Sequence, residues 1–323
     1  MESAIRAGTY AIPVLLLLMA IEFVGYSRDK APDARRAGVS VRDTATSLSI
    51  FVVGRIELLL ARFIELPLVA IAASFAPFTL PGSAWWVWVA AIILTEFAFY
   101  FRHRMNHRIR LLWAGHSVHH SSRHFNLSTA VRLPCLIPGA FLANVVDVPL
   151  ALIGIPVWMI FTAHIIILLY QYPLHTERID RLPRAVEFMF NTPSHHRVHH
   201  GANNPYLDKN YGGILIVWDR IFGSYAEEVE RVRYGLATNI DTFNPLKANY
   251  HEFVSLLRDV RHARTWSGRV GYLVKPPGWH EPVPAVRPGT APVIGRRRGP
   301  EPISSGSLVS VHHSPRGSHA EVS

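Results

Sequence analysis

Histidine is concentrated in three short stretches: His103 and His107 in HRMNH; His116, His119 and His120 in HSVHH; and His195, His196, His199 and His200 in SHHRVHH. His164 and His175 stand alone. HRMNH places two imidazoles at i and i+4, about one turn apart on a helix. HSVHH and HRVHH each place three at i, i+3 and i+4, a spacing that predicts one shared helical face. With 18 histidines in 323 residues, an HxxHH match is expected about 0.05 times by chance in such a chain. It occurs at 116–120 and again at 196–200. A lone helical histidine such as His164 reads as a hydrogen-bonded packing residue. Eight at matched spacings (103, 107, 116, 119, 120, 196, 199 and 200) read as metal ligands.

Eight imidazoles exceed the needs of one metal, since a structural zinc takes four ligands and a catalytic zinc three plus water. Shared between two metals they supply about four each and leave room for oxygen and a substrate. Imidazole suits iron, zinc and copper alike, so the donor set leaves the metal open. Each ligand must be deprotonated, so loading should weaken as pH falls through the histidine range. Carboxylates that orient ligand imidazoles have candidates too. Glu96 lies two helical turns before His103 on the same face, to serve an imidazole or pair with an arginine. Asp208, in the turn-like DKNYGGIL, either orients a histidine or caps the turn.

The elements that position these residues are apolar. The composition, 49% hydrophobic and 17% charged, points toward a membrane. Residues 8–25 form a first span-length run, read as a span over a cleavable signal because its flank is barely basic and no small-x-small site follows. The run at 47–79 carries Arg55, Glu57, Arg62 and Glu65, so its first half is expected at the interface and 66–82 inside. Residues 84–101 open on tryptophans and close on aromatics, as a span with interfacial belts does. Residues 134–172 are too long for one crossing, and Gly154 and Pro156 divide them into a hairpin. The expected fold is therefore all-α: an integral membrane bundle of four or five embedded helices with a histidine-rich di-metal cap. Residues 26–46 carry five basic residues and 79–84 carry none, which places every histidine cluster on the cytoplasmic side. The net charge of +10 belongs to these loops, and a soluble nucleic-acid binder would not explain the spans. Cys135 stands alone, so no internal disulfide forms. Residues 283–323, rich in Pro, Gly, Ser and Arg, read as a disordered tail. The resulting division is 1–44 anchor and basic loop, 45–282 catalytic domain, 283–323 tail.

HRMNH, HSVHH and NTPSHHRVHH resemble the three histidine boxes of the membrane fatty acid hydroxylase and sterol desaturase superfamily. LLWAGHSVHHSS, NLSTAVR, YQYPLHTERI and EFMFNTPSHHRVHHGANNPYLDKNYGGILIVWDRIFGSY follow, in order, the pattern of its alkylglycerol monooxygenase-like branch. The resemblance runs from about 45 to 280. It implies two iron ions activating O2 to hydroxylate, or else desaturate, at a C–H bond of a lipid alkyl, acyl or sterol group, with electrons from an external donor. It adds His175 to the eight as a ninth ligand and places His195 beside the metal. Where that branch carries glutamates, this chain has Arg108 and Arg123, which would face an anionic substrate headgroup or an acidic donor. The rival reading is a non-catalytic metal binder or transporter. A transporter should hold ionisable residues near the middle of its spans, whereas these histidines follow the spans.

Overall fold

In the computed structural model, residues 2–29, 37–135, 137 and 140–282 are described. The tail at 283–323 and much of the basic loop, including Lys30, Arg35 and Arg36, lie outside them. Among the described residues the chain is helical, with no strand and only two isolated antiparallel bridges, Phe190 to Leu215 and Gly201 to Tyr234.

Four helices lead into the site: α1 (Glu2–Arg28), α2 (Val41–Ser74), α3 (Trp85–Arg108) and α4 (Arg110–His120). Ser40 caps α2 by accepting the Asp43 N–H, satisfying one of the donors that a helix start leaves open. α2 continues unbroken through Pro67 to Ser74, so 47–74 lies on one helix, with the apolar stretch Phe63–Ser74 as its second part. Neighbouring helices can re-satisfy the groups a proline frees. A single extended residue, Ile109, separates α3 from α4, and this one-residue hinge folds HSVHH back toward HRMNH.

After the one-turn α5 (Leu127–Ala130), a 3₁₀ segment Ala140–Asp147 runs into α6 (Val148–Leu152), and α7 (Val157–Gln171) follows. Gly154, at φ +88°, makes the turn between α6 and α7, a backbone region open to glycine at little cost. Its carbonyl accepts the N–H of Leu80, so the 75–84 and 153–156 turns meet at one end of the bundle. The histidines gather at the other.

A core of Val69, Ala72, Val87, Ala91, Ala98, Leu150, Ala151, Ile155, Met159 and Ile160 joins α2, α3, α6 and α7. Its small residues let the backbones approach closely, as embedded helices do. Outward, α3 exposes Trp85, Trp86, Val89 and Ile93, and α7 exposes Trp158, Ile166, Leu168 and Leu169. So large an apolar surface suits lipid and not water. Four or five embedded helices were expected. Among the described residues two, Trp85–Arg108 and Val157–Leu174, are long and apolar enough to cross a membrane, with shorter apolar helices at Phe63–Ser74 and Leu142–Leu152.

The remainder caps the histidine end: α8 (Arg184–Met189), α9 (Pro193–His199), α10 (Val217–Ile221), α11 (Pro245–His262) and α12 (Trp266–Val274). α9 is started by Thr192, whose side chain accepts the His195 N–H, with Pro193 in its first turn. α11 lies along α4, where buried Arg110 pairs with Glu252 at 2.8 Å and Asp259 at 2.7 Å.

Candidate metal centre

The boxes arrive from α3, α4 and α9, and His175 from the 3₁₀ turn at the end of α7. Their imidazoles form two sets. His103, His107, His116, His120 and His199 make one; His119, His175, His196 and His200 make the other. Within each set the ligand atoms all lie within 4.8 Å of one another. All nine are buried except His116, which is half-buried.

The partition cuts across the boxes. His116 and His120, at i and i+4, stay together, as do His196 and His200. The i+3 residues, His119 and His199, go to the opposite set. Neighbouring helical positions differ by about 100°, so each His-His dipeptide spreads its rings over both sets instead of presenting three imidazoles on one face.

Inside the sets the Nε2 atoms converge: His103 to His116 at 2.9 Å, His116 to His120 at 3.2 Å, His175 to His196 at 2.9 Å and His175 to His119 at 3.2 Å. The other ring nitrogen is anchored in several of them. His103 Nδ1 donates to the Tyr211 carbonyl at 2.9 Å, His199 Nδ1 to Lys209 at 3.0 Å and His175 Nδ1 to Gln171 at 3.0 Å. A proton held at Nδ1 leaves the Nε2 lone pair aimed inward, the tautomer a metal requires. His107 Nε2, His199 Nε2 and His200 Nε2 are buried without a hydrogen-bond partner. Buried polar atoms without partners are costly, and a cation among inward-facing lone pairs removes that cost. Burial holds His119, His120, His196, His199 and His200 well below the ordinary histidine pKa, with further lowering by neighbouring imidazoles, and holds His175 at about 4. The rings are therefore neutral near pH 7, as ligands must be. This donor set fits two metal ions.

The other candidates fall differently. His195 joins neither set. Its Nε2 lies 3.2 Å from Glu187 Oε2 and its ring packs against Tyr225, because its position on α9 turns it away from the face of His196. Glu96 is fully buried, yet its carboxylate accepts the N–H groups of Ile214 and Leu215 and no imidazole N–H. Gly213 permits this, since a Cβ there would strike the Glu96 carboxylate. Asp208 sits 3.7 Å from His107 Nδ1 and 3.2 Å from Arg108, so Arg108 is already paired. Arg123 is paired with Asp241 at 2.7 Å. It also lines a polar cleft with Arg231, Arg233 and Tyr234. His124 Nδ1 donates to the Ala37 carbonyl at 2.9 Å, and His164 lies 3.6 Å from Asp147; both are outside the sets.

Three contributors carry little mark in the sequence. The carbonyls of Lys209 and Tyr211 act as backbone, so their side chains do not announce them. Phe125 stacks on His175 at 5.6 Å and on Tyr234 at 4.9 Å, closing one wall of the four-histidine set. Only its place beside HSVHH hints at this.

Helices carrying three histidine boxes at the end of an apolar bundle define a class, and the chain belongs to the fatty acid hydroxylase family, whose model matches residues 88–224. Within that family it is similar to the alkylglycerol monooxygenase of Homo sapiens, with 38% identity over 301 residues, covering 92% of this chain and 65% of the relative. The Xenopus tropicalis alkylglycerol monooxygenase is 36% identical over 307 residues, covering 94% and 66%. An ornithine lipid hydroxylase of Rhizobium tropici is 27% identical over 137 residues, covering 42% and 41%. The chain thus spans at most about two thirds of the length of these relatives. No solved structure matches.

Proposed function

We propose that this protein is a membrane-bound, non-haem di-iron oxygenase that hydroxylates a C–H bond of a lipid chain, with O2 as co-substrate and electrons from an external donor. The observation that carries the reading is the pair of buried imidazole sets, five and four. The relatives named for alkylglycerol and ornithine lipid point to lipid substrates. Bound in the two sets, iron would supply O2 activation for hydrogen abstraction from the chain.

The protein's own residues do the rest. Carbonyls at Gln171, Lys209 and Tyr211 hold protons on Nδ1 and keep Nε2 free. Burial of the rings limits the access of water to the reacting centre. An apolar groove of about 460 Å³, lined by Leu16, Met19, Phe23 and Leu48, has Ser128 and Asn126, the residue after Phe125, in its wall. It supports entry of an alkyl chain from the bilayer. We place the histidine end on the cytoplasmic side on the strength of the arginine-rich loops that flank it. We count α1, the second half of α2, α3, α7 and the short segment at 142–152 as the embedded helices. Arg108 and Arg123 stand where an anionic headgroup or acidic donor would approach.

The test pairs metal analysis of purified protein with lipid analysis of expressing cells. Two irons per chain and an O2-dependent hydroxylated lipid are expected, with iron content falling and the product lost in His119→Ala. Metal-free protein that still forms the product, or an iron-loaded protein that oxidises no lipid, refutes it.

A further inference from the structure

Three members of the five-histidine set are oriented by one loop. Asp208, Lys209 and Tyr211 face His107, His199 and His103 in turn, through a carboxylate and two carbonyls. Asp208 and Asn210 both adopt left-handed backbone, at φ +60° and +56°. Asn and Asp tolerate that region better than most residues but not freely, and strained backbone persists only where its surroundings hold it.

The Asn210 side chain ties it to Ala226 and to the His195 carbonyl, and Asp219, at the centre of the short α10 and fully buried, holds the rest. Its Oδ1 accepts the Tyr211 N–H at 2.8 Å and the Ser224 hydroxyl at 2.6 Å; its Oδ2 accepts the Gly212 N–H at 2.7 Å. Its carbonyl accepts the N–H groups of Ser224 and Tyr225. Ser224 in turn accepts the Asn210 N–H on its carbonyl and meets the Tyr100 hydroxyl at 2.8 Å. Tyr100 is on α3, one turn before His103. One carboxylate therefore fastens both the loop and its link to the helix that bears the first box.

The four-histidine set does not depend on this loop in the same way. Its anchored member, His175, donates to Gln171 at the end of its own helix, and among the described residues none of the four donates to 208–211.

We propose that Asp219 is a positioning residue for the five-histidine set alone: by fastening residues 208–211 it sets the imidazoles of His103, His107 and His199 for metal, and the four-histidine set keeps its metal without it. This rests on the two-metal reading above. Partners that orient ligands typically govern metal affinity by about 10–100-fold, and that is the size expected here, confined to one of the two ions.

Asp219→Asn is nearly isosteric but turns an NH2 toward an N–H donor. Full-length protein in detergent is dialysed against a series of iron(II) concentrations. Iron per chain is measured, and isotopically enriched iron is examined by Mössbauer spectroscopy, which separates a coupled pair from an isolated ion. At iron(II) levels where the wild type holds two ions, the variant should hold one, with the spectrum of an isolated ion and near-normal helicity. Two ions of unchanged affinity, or loss of both from a folded protein, overturns the proposal. If the variant does not fold, Asp208→Asn, at the half-exposed end of the loop, decides: weaker binding of one ion supports it, while no change or equal weakening of both overturns it. A wild type that binds no iron would instead refute the proposed function.

Discussion

Asp43 and Arg132 form an ion pair behind the second histidine box, and replacing Asp43 with leucine should cost about 4 kcal/mol. The guanidinium and carboxylate meet at 2.8 Å with side chains only 1% and 5% exposed. Removing one member of a buried pair strands the other charge, at about 3–5 kcal/mol. Ser122 also donates to Asp43, at 2.6 Å, but retains the His124 carbonyl at 2.8 Å, so it adds little and the total stays near the middle of that range. Against a typical stability of about 5–15 kcal/mol, this is a large share, and it corresponds to about a 10 °C drop in thermal midpoint. Arg132→Met should cost a similar amount. The double variant should cost less than about 2 kcal/mol, because apolar residues of like volume need no partner. Tryptophan-fluorescence melts of the four proteins in detergent close the cycle. A single-variant cost below about 1 kcal/mol, or a double variant as damaged as the sum of the singles, would show that the pair is not buried and isolated as described.

Two further outcomes are expected. His195→Gln should leave two irons per chain, whereas His196→Gln should lose one, and elemental analysis that finds equal losses would place His195 among the ligands. His251, on α11, is kept below its ordinary value of 6.5 by burial, partly opposed by the Ala248 carbonyl. The unfolded imidazole takes up a proton near 6.5 and the folded one does not, so stability is full above that pH and falls as pH drops toward the lower folded value. Thermal midpoints measured between pH 7 and 5 should fall less steeply in His251→Gln, and parallel slopes would count against a buried neutral ring.

The helical class was legible because apolar runs of membrane length have no other common use. The boxes were legible because repeated HxxHH is improbable by chance. The break at Gly154 and Pro156 also followed from local chemistry. What stayed hidden depends on residues distant in sequence. Nothing near Arg123 indicates Asp241, and nothing near Glu96 indicates the amides of Ile214 and Leu215, more than a hundred residues on. The spacing of HSVHH suggested three rings on one face. Only the arrangement of α3, α4 and α9 decides that His119 turns to His175 while His120 turns to His107. The carbonyls at 209 and 211 are set by a left-handed loop whose geometry is not written in side-chain type.

The two His-His dipeptides also bear on how this protein can change over evolutionary time. At 119–120 and 199–200 one peptide bond separates histidines that belong to different sets. Substitution at the intervening positions of a box alters a side chain and leaves the histidines where they are. Insertion or deletion of a single residue rotates everything beyond it by about 100° and reassigns each later histidine to the wrong partner. Length variation among descendants of this chain should therefore collect in the connections, such as 131–139 and 226–244, while the count of residues within each box stays constant even where their identities drift.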